Sequence, residues 1–149
     1  KPELVLDKYY DAGADYVTFH LEACPNALEV IKKYKQKNKK IGLSIKPNTS
    51  VTELNDYLEY LDLILVMSVE PGVGGQKYMD SSLDKIKYLK EQKELHKYSY
   101  IIEVDGGINQ STADLVKKAG CEAVVAGTYL FKSADFTSAV KGLKDLCVE

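Results

Sequence analysis

Apolar positions along this chain switch repeatedly between a spacing of two and a spacing of three to four, the periods of strand and helix. Residues 14–22 alternate, with Thr18, His20 and Glu22 on one face and Val17, Phe19 and Leu21 on the other. Residues 41–46 split in the same way, Gly42, Ser44 and Lys46 against Ile41, Leu43 and Ile45, and Pro47 ends the run. Residues 63–69 form a nearly continuous apolar strand with Met67 and Ser68 near its end. Residues 101–105 set Glu103 and Asp105 opposite Ile102 and Val104, and residues 123–126 make a short buried strand before Gly127-Thr128.

Helical spacing fills the intervals. Pro2 opens a first helix through Leu4, Val5, Tyr9 and Ala12, with Gly13 as its C-cap. Asn26 starts a second (Ala27, Leu28, Ile31, Tyr34) that runs out near Asn38. Ser50-Val-Thr-Glu53 has the form of a capping box and predicts a helix through Leu54, Tyr57, Leu58 and Leu61. Asp80 or Ser81 caps a helix carrying Leu83, Ile86, Lys87 and Leu89, and the polar residues 91–99 connect it to the next strand. Asn109 or Ser111 caps Ala113, Leu115, Val116 and Ala119, stopping at Gly120. Residues 133–148 predict a last helix with Phe136, Val140, Leu143 and Leu146 inward.

The order is a helix, then strand and helix in strict alternation, which implies a parallel sheet with right-handed crossovers. A weak internal repeat supports it: residues 12–17 and 119–124 share one junction of helix end, glycine, acid and strand start. An open doubly wound sheet and a (β/α)8 barrel both fit the alternation. The polar face recurring on the His20, Ser44 and Asp105 strands favours the barrel, whose interior holds a site at the C-terminal strand ends. A barrel takes about 250 residues, so the 149 residues read as one domain, residues 1–149, forming the C-terminal part of an incomplete barrel.

Composition changes this picture little: 45% hydrophobic and 28% charged residues are ordinary for a globular domain. The net charge of −2 makes no case for nucleic acid or an anionic membrane, and no apolar run approaches a membrane span. Lysines 32, 33, 35, 37, 39 and 40 read as the solvated face and C-terminal end of a helix. Cys24, Cys121 and Cys147 are odd in number and show no CxxC spacing, which suits a reducing, cytoplasmic compartment.

The candidate chemistry gathers where strands end. Asp105 closes a strand and is followed by Gly106-Gly107; Gly72-Val73-Gly74-Gly75 and Gly127-Thr128 follow other strands. Backbone N–H groups of such loops make an anion site, and barrels hold phosphate after their last two strands. That places phosphate at Gly106, Gly107, Gly127 and Thr128. Residues 72–77 lack the Gly-Lys-Ser/Thr of a nucleotide P-loop. A carboxylate at Asp105, about one sugar length away, can take a proton next to a carbonyl or bind a metal that stabilises the enediolate. His20 reads as a second polar contributor or a hydrogen-bonded structural histidine. Glu103 reads as an internal hydrogen-bonding or pairing residue and Lys46 as structural or electrostatic. His96, at the opposite end of a strand, has no assigned role.

Tyr16-Val-Thr-Phe-His-Leu-Glu-Ala23, Gly42-Leu-Ser-Ile-Lys-Pro47, Val66-Met-Ser-Val-Glu-Pro-Gly-Val-Gly-Gly-Gln76 and Glu103-Val-Asp-Gly-Gly-Ile108 closely resemble the ribulose-phosphate 3-epimerase family. The resemblance implies a metal-dependent TIM barrel, a ribulose-phosphate-binding barrel, that interconverts ribulose 5-phosphate and xylulose 5-phosphate. By the same resemblance Asp105 is both a metal ligand and one of two acid/base groups, and Met67 and His20 line the site. Gly72, Val73, Gly74 and Gly75 match the loop that closes over the substrate; Gly106, Gly107, Gly127 and Thr128 match the other phosphate contacts. Val73 stands where phenylalanine is usual, and Thr128 where serine is usual. The family's first three strands carry a serine, a His-x-Asp pair and a further histidine, and these 149 residues include no counterpart to them. The implied cofactor is a divalent metal (Zn, Fe, Mn or Co), the partner a small sugar phosphate, the assembly a homo-oligomer. On this basis the intact protein is expected to be an isomerase of the pentose phosphate pathway, and residues 1–149 alone inactive and weak in binding metal. The alternatives are a 3-epimerase for a hexulose phosphate such as allulose 6-phosphate, and an inactive truncated phosphate-binding fragment.

Overall fold

A computed structural model describes residues 2–69 and 79–145. Five strands, β1 (Tyr16–His20), β2 (Lys40–Ile45), β3 (Leu63–Met67), β4 (Ile101–Asp105) and β5 (Ala123–Val125), form one parallel sheet in chain order. A doubly wound sheet would reverse its order at a switch point; here each strand pairs with its sequence neighbours, so the protein is a partial α/β barrel. The helices are α1 (Leu6–Asp11), α2 (Ala27–Gln36), α3 (Met79–His96), α4 (Gln110–Ala119), α5 (Gly127–Phe131) and α6 (Phe136–Asp145).

Strand alternation sorts the two faces as the pattern requires. Val17, Phe19, Leu43, Ile64, Ile102 and Val104 are buried and belong to one core cluster with Ile31 and Tyr34 of α2, Ile86 and Leu89 of α3, and Val116 of α4. The opposite face carries His20, Ser44, Leu65 and Glu103 in one registered row, with Met67, Asp105 and Val125 in the next row towards the strand ends. The polar row read from sequence is therefore a single continuous surface.

Several helical expectations change. The first segment is a 3-10 turn, Pro2–Leu4, followed by α1, and its buried residues are Leu6 and Tyr10 while Leu4, Val5 and Tyr9 are exposed. Adjacent apolar residues left the phase open. It is set by Tyr10, whose ring stacks on Tyr34 at 5.4 Å and whose hydroxyl donates to the Lys40 carbonyl at 2.7 Å. Strand β1 stops at His20, and Leu21–Ala23 is a 3-10 turn that takes Glu22 off the strand. The predicted helix after Ser50 is two 3-10 turns, Val51–Leu54 and Leu58–Tyr60, and the Ser50 side chain accepts from the Thr52 N–H. Val51 and Thr52 are β-branched, and Asn55 and Asp56 are weak helix formers, so Leu54, Leu58 and Leu61 reach the core without a continuous α-helix.

Helix α3 is already helical at Met79, ahead of Asp80 and Ser81, and runs through most of the polar stretch to His96. Its buried face is Ser82, Lys85, Ile86 and Leu89, and Lys87 is exposed. Helix α4 begins with a capping box between Asn109 and Thr112 and ends at Gly120 in the left-handed conformation; Leu115 is exposed. Between β5 and α6 lies α5, a helix the sequence reading did not contain. In α6 Ala139 and Leu143 are buried, whereas Phe136 is exposed and tilts against Phe131 at 5.9 Å. Leu146, Cys147 and Val148 lie outside the described residues. The α2 lysines are engaged within the chain: Lys35 pairs with Asp62 at 2.8 Å, Lys37 with Asp7 at 3.2 Å, and Lys32 sits over the Tyr60 ring.

Candidate active site

Parallel strands end together, so the residues leaving β1 to β5 meet at one rim of the sheet. Asp105 is the last residue of β4, registered between Met67 on β3 and Val125 on β5. Ser68, just past β3, donates its backbone N–H to the Asp105 carbonyl at 2.9 Å and its hydroxyl to the same oxygen at 3.0 Å, and also contacts the Gly106 carbonyl. Its side chain is 1% exposed. The two strand ends are thus tied before the chain turns.

The turn itself demands glycine. Gly106 has φ +106°, and a Cβ there would stand 2.5 Å from Val69 Cγ2 and 3.1 Å from Ser68 Oγ. Gly107 follows at φ +66°, and its carbonyl accepts from Thr112 Oγ1 at 2.7 Å, which ties the turn to the first turn of α4. Gly127 differs: its φ is ordinary and a Cβ would meet nothing within 4 Å among the described residues, so none of them requires glycine there. Thr128 follows it in α5. Gly72, Val73, Gly74 and Gly75 lie outside the described residues.

Burial raises the Asp105 carboxyl above its usual range. Glu103, two residues back on the same face, is raised first by burial and then by the charge of Asp105. Among the described residues neither carboxylate has a hydrogen-bond or ion-pair partner. Desolvation favours the protonated acid, so a carboxylate held this way is a stronger base once ionised.

His20, at the end of β1, shares Nδ1 between the Ser44 hydroxyl at 3.0 Å and the Glu22 carboxylate at 3.8 Å. Both neighbours meet the same ring nitrogen, so the trio cannot pass a proton through the ring as a hydrolytic triad does. Glu22 accepts from the Lys46 backbone N–H at 2.8 Å and from the Thr49 hydroxyl. Burial opposes its charge, yet the Lys46 and Thr49 donors, with its own backbone N–H and His20 adding to them, together pull the acid below its usual range. Lys46 enters through its backbone alone among these contacts. His96 stacks on Tyr98 at 5.1 Å at the opposite end of the sheet.

Two residues were overlooked. Lys85, 8% exposed, reaches from α3 to the carbonyls of Lys46 at 3.2 Å and Pro47 at 2.7 Å. The signal was its phase: positions 82, 85, 86 and 89 form one helical stripe. Ser68 interrupts an apolar run, and its tie to Asp105 required knowing that β3 and β4 are neighbours. A cavity of about 270 Å³ lies between α4, β5 and α6, lined by Ala113, Lys117, Cys121 and Leu143, on the helix side of the sheet and away from Asp105. Among the described residues no three His, Cys, Asp or Glu side chains converge as a ligand set. These residues do not build a metal centre by themselves.

Residues 1–131 match the model of the ribulose-phosphate 3 epimerase family. The chain is similar to a ribulose-phosphate 3-epimerase of Eremothecium gossypii, 40% identical over 146 residues, covering 97% of this chain and 59% of that protein. It is also similar to a ribulose-phosphate 3-epimerase of Bacillus subtilis, 38% identical over 145 residues, covering 97% of this chain and 67% of that protein. The chain therefore spans about three fifths to two thirds of the length of these relatives. Among solved structures a 3-hexulose-6-phosphate synthase matches with TM-score 0.70 at 21% identity, covering 97% of this chain and 67% of that one, a likeness of fold alone.

Proposed function

This chain belongs to the ribulose-phosphate 3 epimerase family, a family of enzymes, and from that premise we propose that it carries one half of a two-sided acid/base site. The reaction is epimerisation at C3 of ribulose 5-phosphate to give xylulose 5-phosphate. The observation that carries the reading is Asp105: a half-buried carboxylate with a raised pKa and no partner among the described residues, at the rim of a polar barrel face, beside the Gly106-Gly107 turn.

The C2 ketone makes the C3 hydrogen acidic. Asp105 in its ionised form takes that proton from one face of C3, leaving an enediolate whose charge lies on the C2 oxygen. A proton delivered to the opposite face of C3 inverts the centre, and that second group is not among the described residues. Met67, registered directly beside Asp105, supplies an apolar wall that keeps water from the carbanion. Backbone N–H groups at Gly106, Gly107, Gly127 and Thr128 are proposed to bind the phosphate, together with Gly72, Val73, Gly74 and Gly75. Gly127 supports this: a glycine that none of the described residues requires leaves room for something else to approach.

Asp105 is further proposed as one ligand of a divalent cation of the Zn, Fe, Mn or Co type, with its other donors supplied from outside the described residues. Self-association and a cytoplasmic setting complete the proposal; among the described residues no helix is long and apolar enough to cross a membrane.

Solvent-deuterium exchange at C3 tests the reading. The intact protein should exchange C3 of ribulose 5-phosphate, and Asp105→Asn should abolish it. Exchange retained in Asp105→Asn refutes the assigned role, and faster exchange on allulose 6-phosphate reassigns the sugar.

A further inference from the structure

The main chain of residue 46, at the mouth of the barrel face, has its N–H and its carbonyl each held by a charged side chain from a different element. Glu22, on the turn after β1, accepts the Lys46 N–H at 2.8 Å and also takes the Thr49 hydroxyl. Lys85, on α3, donates to the Lys46 carbonyl at 3.2 Å and the Pro47 carbonyl at 2.7 Å. A buried ammonium is costly unless its protons are taken up, and here two loop carbonyls take them. Lys85 is almost wholly enclosed, while Glu22 is 26% exposed.

This arrangement is more than the core needs. Pro47 already ends β2, and neither Glu22 nor Lys85 belongs to the apolar cluster that covers Ile41, Leu43 and Ile45. What the two charges fix is the loop that leaves β2 beside His20, whose ring is held by Ser44 and faces Glu22. Lys85 also ties that loop to α3.

We propose that Glu22 and Lys85 are positioning residues: a two-sided hydrogen-bond clamp on residue 46 that sets the loop after β2, and through it the His20 wall of the sugar-phosphate site. The proposal rests on the epimerase reading and adds residues to it that touch neither substrate nor the reacting carbon.

The test uses the intact protein with ribulose 5-phosphate, at a temperature where circular dichroism shows each variant folded. Glu22→Ala and Lys85→Met should each lower kcat/KM about ten-fold. Glu22→Gln, whose amide oxygen still accepts from Lys46 and Thr49, should restore it to within about three-fold of the unsubstituted protein. A structural role alone would lower the melting temperature in all three and leave kcat/KM of the folded protein unchanged, which overturns the proposal. So does a loss in Glu22→Gln as deep as that in Glu22→Ala. If Lys85→Met does not fold, the two Glu22 variants decide, since that side chain is partly exposed. An unsubstituted intact protein without C3 exchange overturns the epimerase reading and the clamp together, a result seen before any variant is made.

Discussion

Ser68 gives both its backbone N–H and its hydroxyl to the main-chain carbonyl of Asp105, at 2.9 and 3.0 Å. The residue that follows one strand thereby fixes the last residue of the next, and with it the direction in which the carboxylate leaves the sheet. Ser68→Ala keeps the N–H bond to the Asp105 carbonyl and removes the hydroxyl that contacts both the Asp105 and Gly106 carbonyls. It should cost about 1–2 kcal/mol in urea unfolding and, by misaiming Asp105, lower kcat about ten-fold with little change in KM.

Gly106 and Gly127 separate folding from binding. Gly106→Ala must hold a Cβ at φ +106° and 2.5 Å from Val69 Cγ2, so it should destabilise the protein by about 2 kcal/mol or more. Gly127→Ala meets no neighbour among the described residues and no backbone strain and should change stability by less than about 0.5 kcal/mol. If Gly127 makes room for phosphate, the same substitution raises KM for the sugar phosphate. Melting curves and steady-state kinetics on the two variants read both effects.

Glu22 gives a pH signature. Its donors hold the folded carboxyl below the ordinary value of 4.5 against the opposing effect of burial. A depressed pKa means the fold favours the charged form: the gain is complete above the ordinary value and is lost as pH falls through it towards the folded value. The gap in melting temperature between the unsubstituted protein and Glu22→Gln should be constant near neutrality and close below pH 4.5.

Cys121 should resist alkylation. Burial first, and then the charges of Glu103 and Glu122, push its thiol up to about 11, so only about one in a thousand is ionised at pH 8. Iodoacetamide at that pH should leave the peptide containing Cys121 unlabelled in the native protein and label it in guanidinium, as mass spectrometry would show.

The strands were legible because period-two alternation survives on a sheet whose two faces have different jobs: Val17 and Phe19 against Thr18 and His20, Ile102 and Val104 against Glu103 and Asp105. Helix phases were less so. Leu4, Val5 and Leu6 are consecutive, as are Tyr9 and Tyr10, and only the Tyr10–Tyr34 stack decides which side turns inward. The Ser50 capping box failed because it describes how a helix starts; whether the helix continues depends on Asn55 and Asp56. Asp105 was found since an acid in an apolar strand is conspicuous. Lys85 was missed since a lysine on a helix is read as solvated, and its acceptors are backbone carbonyls nearly forty positions away in sequence, which no local pattern contains.

Strand pairing in chain order also bears on how the protein assembles itself. The registered pairs Val17–Ile41, Gly42–Leu63, Leu63–Ile101 and Glu103–Ala123 close segments of 24, 21, 38 and 20 residues. Three of the closures are nearly equal, and the fourth, which brings β3 to β4, is the longest. Closure entropy grows with the logarithm of length, so this step costs about 0.5 kcal/mol more than its neighbours. The pairing that sets Met67 beside Asp105 is therefore the hardest to form by chance encounter. The β1–β2–β3 and β4–β5 units can each zip locally, and their union creates the reactive rim, so pulse-labelled hydrogen exchange should show the β3–β4 amides protected last.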